Sequence, residues 1–371
     1  MKHTNIIVGA GLSGLVMAER LSSVGERVLI IDRRNHIGGN CYDYDDNGIF
    51  VHRYGSHIFH TSDSAVWRYV SRFTRFYPYM HEVRAFVDGC FIPVPFNLNS
   101  LYLTFTKRLA KSLESMLLSH FRYGERVSIL RLRERQELSF LSDYIYEKIF
   151  LNYTSKQWCC KVEELDSSVF DRVPIIISKD NRYFGDVYQG IPIGGYSKMC
   201  EKMLENSLID LRLNCDYSEI KSEARKAKRV FFSGAIDEYF DYEFGELAYR
   251  SLEFDFVTLQ IPHFQQNSVI NYPNNYDYTR IAEYKHFLPT HTPHTIISFE
   301  YPKAYERGLE RYYPMPNATN ANLYNRYKQK AESLKNVYFL GRLGHYRYYD
   351  MDKAIKSALA LFTSLGLENR V

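Results

Sequence analysis

Tryptophan is scarce in this 371-residue chain: 2 residues, against 32 tyrosines and 24 phenylalanines. Cysteine is sparse too, at 41, 90, 159, 160, 200 and 215, with no C-x-x-C pair. The chain is therefore no small disulfide scaffold, and the reduced thiols of a cytoplasmic protein are expected. No apolar run approaches the roughly 20 residues that cross a bilayer, so no membrane span is expected. No charged, apolar leader with a cleavage site precedes the first strand, so secretion is not expected. Internal repeats and low-complexity linkers are missing. Charge of either sign is not in excess: the net value is +4, too weak and too dispersed to argue for nucleic acid. There is no G-x-S-x-G, no Walker loop and no evident pair of catalytic carboxylates. Chemistry built on those groups is excluded, which fits a protein whose hard step belongs to a cofactor.

What is present begins with length. At 371 residues the chain exceeds one compact core, and two or three domains are expected. The tyrosine abundance suits a wet cleft that stacks on rings and bonds hydroxyls. It suits half-buried strands equally well.

The most informative stretch is the first. Asn5–Val8 is a short apolar run, and Gly9, Gly11 and Gly14 follow in the spacing G-x-G-x-x-G. Residues 15–24 have helical periodicity, and Val28–Ile31 is a second apolar run ending on Asp32. Each part has a mechanical reason. Gly9 permits a tight turn, Gly11 lets backbone approach a pyrophosphate, and Gly14 lets helix and strand pack closely. The helix N-terminus then faces phosphate, and Asp32 can accept from a ribose hydroxyl. A basic, glycine-bearing loop, residues 33–40, follows directly: Arg33, Arg34, Asn35, His36, Ile37, Gly38, Gly39, Asn40. An acid followed by arginine and a Gly-Gly turn resembles the flavoproteins with two dinucleotide-binding domains, which bind FAD.

Further along, residues 48–60 read as strand and turn, and Thr61-Ser62-Asp63 offers capping chemistry for a helix over 64–76. His52, His57 and His60 cluster there without carboxylate or cysteine partners at tight spacing, so no metal is expected. Residues 83–95 read as a hairpin around Asp88-Gly89. Residues 97–152 contain no proline and one glycine and have long helical periodicity, which predicts an inserted helical domain. Residues 189–196 (QGIPIGGY) read as a glycine-rich turn before a helix at 198–204. Residues 229–235 read as a buried strand, 251–298 as antiparallel strands, 336–340 as a last core strand, and 351–363 as a final helix. The expected fold class is α/β with α+β insertions. It comprises a discontinuous Rossmann-like FAD-binding domain (1–77, 193–245, 314–371), a helical bundle (98–178) and an antiparallel sheet (78–97, 179–192, 246–313).

Arg172 and Arg280 each lie beside aromatic residues in separate segments. Arginine grips phosphate oxygens with a fixed fork, so two converging arginines suit a diphosphate. Taken singly, each could be a surface ion-pair residue.

The ordered motifs GAGLSG, RNHIGGN, YGSHIFHT, YTSKQW, Arg172-Val-Pro, QGIPIGGY, YTRIAEYKHF and GRLGHYRYYDMD span nearly the whole chain. Together they resemble the bacterial UDP-galactopyranose mutase family. The likeness fades over 101–140, and Gly344-His345 replaces an Ala-Glu expected there. The resemblance implies cofactor contacts at Gly9, Gly11, Leu12, Ser13, Gly14, Asp32, Arg33, Gly39, Asn40, His57, Ile58, Arg342 and Asp352. It implies a diphosphate clamp of Arg172, on a mobile loop, and Arg280, with Tyr183, Tyr313 and Tyr348 beside the diphosphate. Tyr153 would stack on uracil and Trp158 would lie beside galactose; Asn271, Glu300 and Asp350 would be further sugar-side groups, and His60 would sit near flavin and sugar. It also implies a reaction. FAD, reduced by an external donor such as NAD(P)H, attacks the anomeric carbon of a UDP-sugar through N5; the adduct opens, recloses as the five-membered ring, and UDP returns. A homodimer serving cell-surface polysaccharide synthesis is the accompanying expectation. Two readings stay open: a mutase of an N-acetylated or deoxy nucleotide sugar, and a hydride-transferring flavin oxidoreductase of the amine-oxidase kind.

Overall fold

The computed structural model describes residues 5–166, 169 and 173–367. The chain opens with β1 (Asn5–Val8), α1 (Leu12–Ser23) and β2 (Val28–Ile31). Both strands have the predicted bounds. The helix starts three residues early, because Gly11 itself takes the N-cap position. A hairpin follows, β3 (Asp43–Asp46) and β4 (Ile49–His52), then β5 (Phe59–Thr61). Asp63 caps α2 (Ser64–Val70), its carboxylate accepting from the Ala65 and Val66 amides. The helix was expected to reach residue 76. It stops at Val70 because Phe76–Pro78 is needed as strand β6.

β7 (Val83–Val87) and β8 (Cys90–Val94) form the predicted hairpin. Its two-residue turn places Asp88 and Gly89 at φ 48° and 79°, the left-handed pair such turns require. Helices α3 (Leu98–Thr104), α4 (Lys107–His120), α5 (Ile129–Arg133) and α6 (Ser139–Ile145) come next. On α4, Ala110, Leu113 and Leu117 are buried at helical spacing, which fixes the face it packs. A two-residue strand β9 (Arg126–Val127) interrupts these helices and pairs with β10 (Ile175–Ile176). A π-helical turn, Tyr146–Leu151, runs straight into α7 (Asn152–Trp158).

The segment expected to be a turn at 189–196 is instead largely β11 (Tyr188–Pro192), the central strand between β5 and β6. Gly190 is there for close approach: a Cβ would stand 2.7 Å from the Tyr77 carbonyl. The turn proper is Gly194-Gly195, both at φ 88°, opening α8 (Gly195–Met203).

Among the described residues, β12 (Ile209–Arg212), β13 (Arg229–Phe232) and β19 (Val337–Phe339) complete a five-stranded parallel sheet in the order β12-β2-β1-β13-β19. Its central strands β2, β1 and β13 are largely apolar and buried on both faces, as a covered parallel sheet requires, while the edge strand β12 carries Asp210 and Arg212 and is exposed. One face packs on α1 and on α9 (Met351–Ser364); the other packs on Ile220, Ala224 and Ala227. A seven-stranded sheet runs β18-β14-β17-β16-β15-β7-β8, with β14 (Tyr249–Leu259), β15 (Val269–Asn271), β16 (Arg280–Glu283), β17 (Thr295–Ala304) and β18 (Tyr313–Pro314). It is not wholly antiparallel as expected, since β15 joins β7 in parallel. The chain leaves by β8 and returns more than a hundred residues later, so no tight hairpin dictates an antiparallel partner there. A single apolar core runs from this sheet into α3–α6. The whole is an α/β fold carrying a mixed sheet and a helical insertion.

Candidate active site

The C-terminal ends of β1, β2 and β13 open onto a cavity of about 420 Å³. Gly9 and Gly14 serve the protein itself. A Cβ on Gly9, at φ 102°, would lie 2.0 Å from Ser233 Oγ, and one on Gly14 would lie 2.0 Å from the Gly9 carbonyl. Gly11 is different. It has an extended φ of −80°, and its Cβ would meet only Gly39 Cα at 3.7 Å. Nothing in the chain demands glycine at 11, so its missing side chain is space for a ligand at the uncapped N-terminus of α1. The Gly38-Gly39 turn folds back on this loop: Gly38 N–H donates to the Ala10 carbonyl at 2.8 Å. Asp32 accepts from the Ala10 and Arg34 amides at 2.7 and 2.9 Å, which fixes its carboxylate at the cavity wall. These features fit a dinucleotide cofactor.

Leu12, Ser13, Arg33, Gly39, Asn40, His57, Arg342 and Asp350 also line the cavity. Arg33 leans toward Glu238 at 3.6 Å, while Arg34 pairs with Glu310 and stacks 4.4 Å over Tyr54. Three expected cofactor residues do not line it: Gly14, which serves helix packing as described, Ile58 and Asp352. Ile58 is in the core beneath the sheet. Asp352 accepts from Thr61 Oγ1 at 3.0 Å and from the Lys353 amide, tying α9 to β5. His57 donates its amide to His52 Nδ1 at 3.0 Å, and burial pulls both imidazoles down to about 3.

A second cluster stands beside the cavity. The sheet register sets Asn271 opposite Arg280, and Arg280 opposite Glu300, on three consecutive strands. Arg280 Nη2 donates to Tyr153 Oη at 2.6 Å, and its Nε lies 3.5 Å from Glu300 Oε1. Burial opposes the Arg280 charge, but the Glu300 carboxylate and Tyr153 more than reverse this and hold the guanidinium ionised. Tyr153 and Gln157 are one helical turn apart on α7. The Gln157 amide, oriented by its neighbours, donates to Tyr153 Oη at 3.0 Å and accepts from Arg250 Nη1 at 2.6 Å. Arg250 is 2% exposed; its guanidinium lies 4.4 Å over Tyr313 and 5.5 Å over Trp158. Burial lowers its pKa from the usual arginine value. Tyr313 stacks on Tyr348 at 5.2 Å, and Arg342 covers both rings. Arg342 thus connects this cluster to the cavity wall. Arg280 lies against the buried Glu300 carboxylate, whereas Arg250 only feels that charge at longer range. Asn271 Oδ1 and the Nε atoms of both arginines are buried without a hydrogen-bond partner. An anionic ligand with hydroxyls would satisfy that arrangement.

His60 stacks 3.6 Å over Phe184, and its Nδ1 lies 2.7 Å from Asp186. Burial would raise the Asp186 carboxyl, but hydrogen bonds from Ser62 and His60 hold it below the usual range. Tyr183 packs edge-on against Phe184 at 5.0 Å. Arg172 lies outside the described residues. Sequence reasoning missed Arg250, Gln157, Asp186 and Lys156, whose ammonium donates to the carbonyls of Tyr272, Tyr276 and Tyr278 and fastens that loop to α7. Gln157 and Lys156 lie inside the YTSKQW motif, and Arg250 is the one basic residue of a strand rich in aromatics; those were the available signals.

The sequence model of the UDP-galactopyranose mutase family matches residues 148–348, and that of the NAD(P)-binding Rossmann-like domain matches 7–73. A probable UDP-galactopyranose mutase of Klebsiella pneumoniae is 38% identical over 97% of this chain and 94% of its own. The dTDP-fucopyranose mutase of Escherichia coli is 34% identical over 95% and 96%. The crystal structure of a reduced UDP-galactopyranose mutase shares the fold, with a TM-score of 0.73 over 99% of this chain and 96% of that one at 16% identity. With relatives this similar over nearly their full length, the chain belongs to the UDP-galactopyranose mutase family.

Proposed function

We propose that the protein is a reduced-FAD-dependent isomerase that interconverts UDP-galactopyranose and UDP-galactofuranose. The observation that carries this reading is the pair of guanidiniums Arg250, buried over Tyr313, and Arg280, against the Glu300 carboxylate, beside a dinucleotide cavity. Bound and reduced, the flavin would supply the nucleophile for the anomeric carbon, with no net redox change. The chain's residues do the rest. Arg280 and Arg250 stabilise charge developing on the departing diphosphate, in a poorly hydrated cleft where such bonds are strongest. Tyr153, Gln157 and Glu300 hold the two forks in place. Arg172 is the further arm of the diphosphate clamp, and Tyr153, Trp158, Tyr183, Tyr313, Tyr348, Asn271 and Asp350 position nucleotide and sugar. Asp186 holds His60 against Phe184 at the flavin side.

The reading includes an external reductant such as NAD(P)H, a cytoplasmic homodimer, a role in polysaccharide synthesis, and the three-domain division given above. In support of the division, all five parallel strands fall within the three segments of the proposed FAD-binding domain. Among the described residues no helix is long and apolar enough to cross a membrane. A second reading, action on a deoxysugar carried by dTDP, is favoured by the comparably full match to the dTDP-fucopyranose mutase. Incubating dithionite-reduced protein with UDP-galactopyranose and, separately, with dTDP-fucopyranose, then separating products, decides between them. Ring contraction of the first substrate alone supports the main reading; contraction of the second alone replaces it.

A further inference from the structure

At the far end of β16 from Arg280, three side chains outside the active site converge. Glu283 is fully buried at the strand's end, His286 follows on the next turn, and His263 approaches from the loop before β15. One ring nitrogen each of His263 and His286 and a Glu283 oxygen all lie within 4.8 Å of one another. The individual separations are 3.6 Å from His263 Nδ1 to Oε1 and 3.2 Å from His286 Nε2 to Oε2. Tetrahedral zinc with nitrogen and oxygen ligands places neighbouring donors about 3.4 Å apart. The carboxylate is oriented by supporting bonds from the Phe264 and Gln265 amides, at 2.9 and 2.8 Å, and from Thr295 Oγ1 at 2.7 Å. Bonds of that kind orient metal-binding carboxylates. His286 Nε2 also reaches the Gln265 carbonyl at 3.0 Å, and the neighbouring Lys285 ammonium is taken up by the Pro262 and Thr292 carbonyls. The Glu283 side chain has no solvent exposure, while His263 is half in solvent, so one side of the group is open to an arriving ion and to a water as fourth ligand.

We propose that His263, Glu283 and His286 form a site for a zinc-class divalent ion, which clips the loop before β15 to the end of β16. This departs from the expectation, drawn from the sequence, of no metal. Residues 263, 283 and 286 are joined only by the fold, and the histidines weighed for metal at 52, 57 and 60 lie elsewhere.

The test uses the full-length, flavin-loaded protein, stripped with chelator and dialysed against Zn²⁺ or Co²⁺. One ion per chain is expected, with visible Co²⁺ ligand-field bands and a raised thermal midpoint. Loss of an outer-shell partner alone costs about 10–100-fold in affinity, so removal of a ligand by His263→Ala should cost about 100-fold or more. His263 is exposed, so that variant should fold as the parent does; His286→Gln provides the second, independent loss. Absence of a bound ion, or binding that His263→Ala and His286→Gln leave unchanged, would overturn the site and reduce the cluster to a histidine–glutamate ion pair.

Discussion

Arg280 and Glu300 face each other across neighbouring antiparallel strands, yet Arg280 is not fully spent on its partner. Its Nε stands 3.5 Å from Glu300 Oε1 and makes no hydrogen bond, while Nη2 is held by Tyr153 at 2.6 Å. The guanidinium is therefore aimed by its neighbours and keeps donor capacity for a ligand. Removing one preorganised donor to developing negative charge typically costs about 3–4 kcal/mol in activation free energy. Arg280→Ala should therefore lower turnover on the order of 100-fold or more, with flavin content unchanged. Arg280→Lys should recover only part, since a point charge lacks the planar fork. Steady-state kinetics with flavin absorbance checks both.

Arg250 makes the complementary case. It is buried without a carboxylate of its own, so neutral replacement should not destabilise the free protein greatly. Arg250→Met should keep or raise the thermal midpoint while cutting turnover by about 10-fold or more. Unfolding of this variant would show that the arginine is structural.

The glycines separate fold from cofactor. Gly11→Val should fold, by circular dichroism, but lose flavin absorbance, because only ligand space is filled. Gly14→Val should fail to fold, because its Cβ would meet the Gly9 carbonyl at 2.0 Å. Full flavin occupancy in Gly11→Val would contradict the cavity assignment.

His52 predicts an acid response. Unfolded histidine takes its proton near 6.5, whereas burial keeps His52 neutral in the fold down to about 3. Between those values the unfolded state binds the extra proton, so stability falls as pH falls, by about 1.4 kcal/mol per pH unit for this one group. His52→Gln removes the titration. Its urea midpoint should therefore depend less steeply on pH than the parent's between pH 6 and 4, and equal slopes would count against the buried neutral imidazole.

Much of this was legible in the chain. β1 and β2 have the predicted bounds because an apolar run between a glycine turn and an acid permits little else. QGIPIGGY misled because glycine marks both a turn and a close backbone approach, and Gly190 is the second kind. The β7–β15 pairing depends on where a long excursion returns, which no local pattern encodes. Asn271, Arg280 and Glu300 were expected to serve the sugar and diphosphate, and the register places them side by side. Arg250 and Asp186 escaped notice because a lone charge looks the same in sequence whether it is solvated or buried.

The central claim is a mutase step that needs reduced flavin and consumes no reductant. The most direct measurement follows UDP-galactopyranose incubated anaerobically with dithionite-reduced and with fully oxidised protein, product and flavin redox state being read together. The account predicts UDP-galactofuranose over many turnovers from the reduced protein only, with the flavin still reduced at the end. Equal turnover by the oxidised protein, or one flavin oxidised per sugar converted, would contradict it.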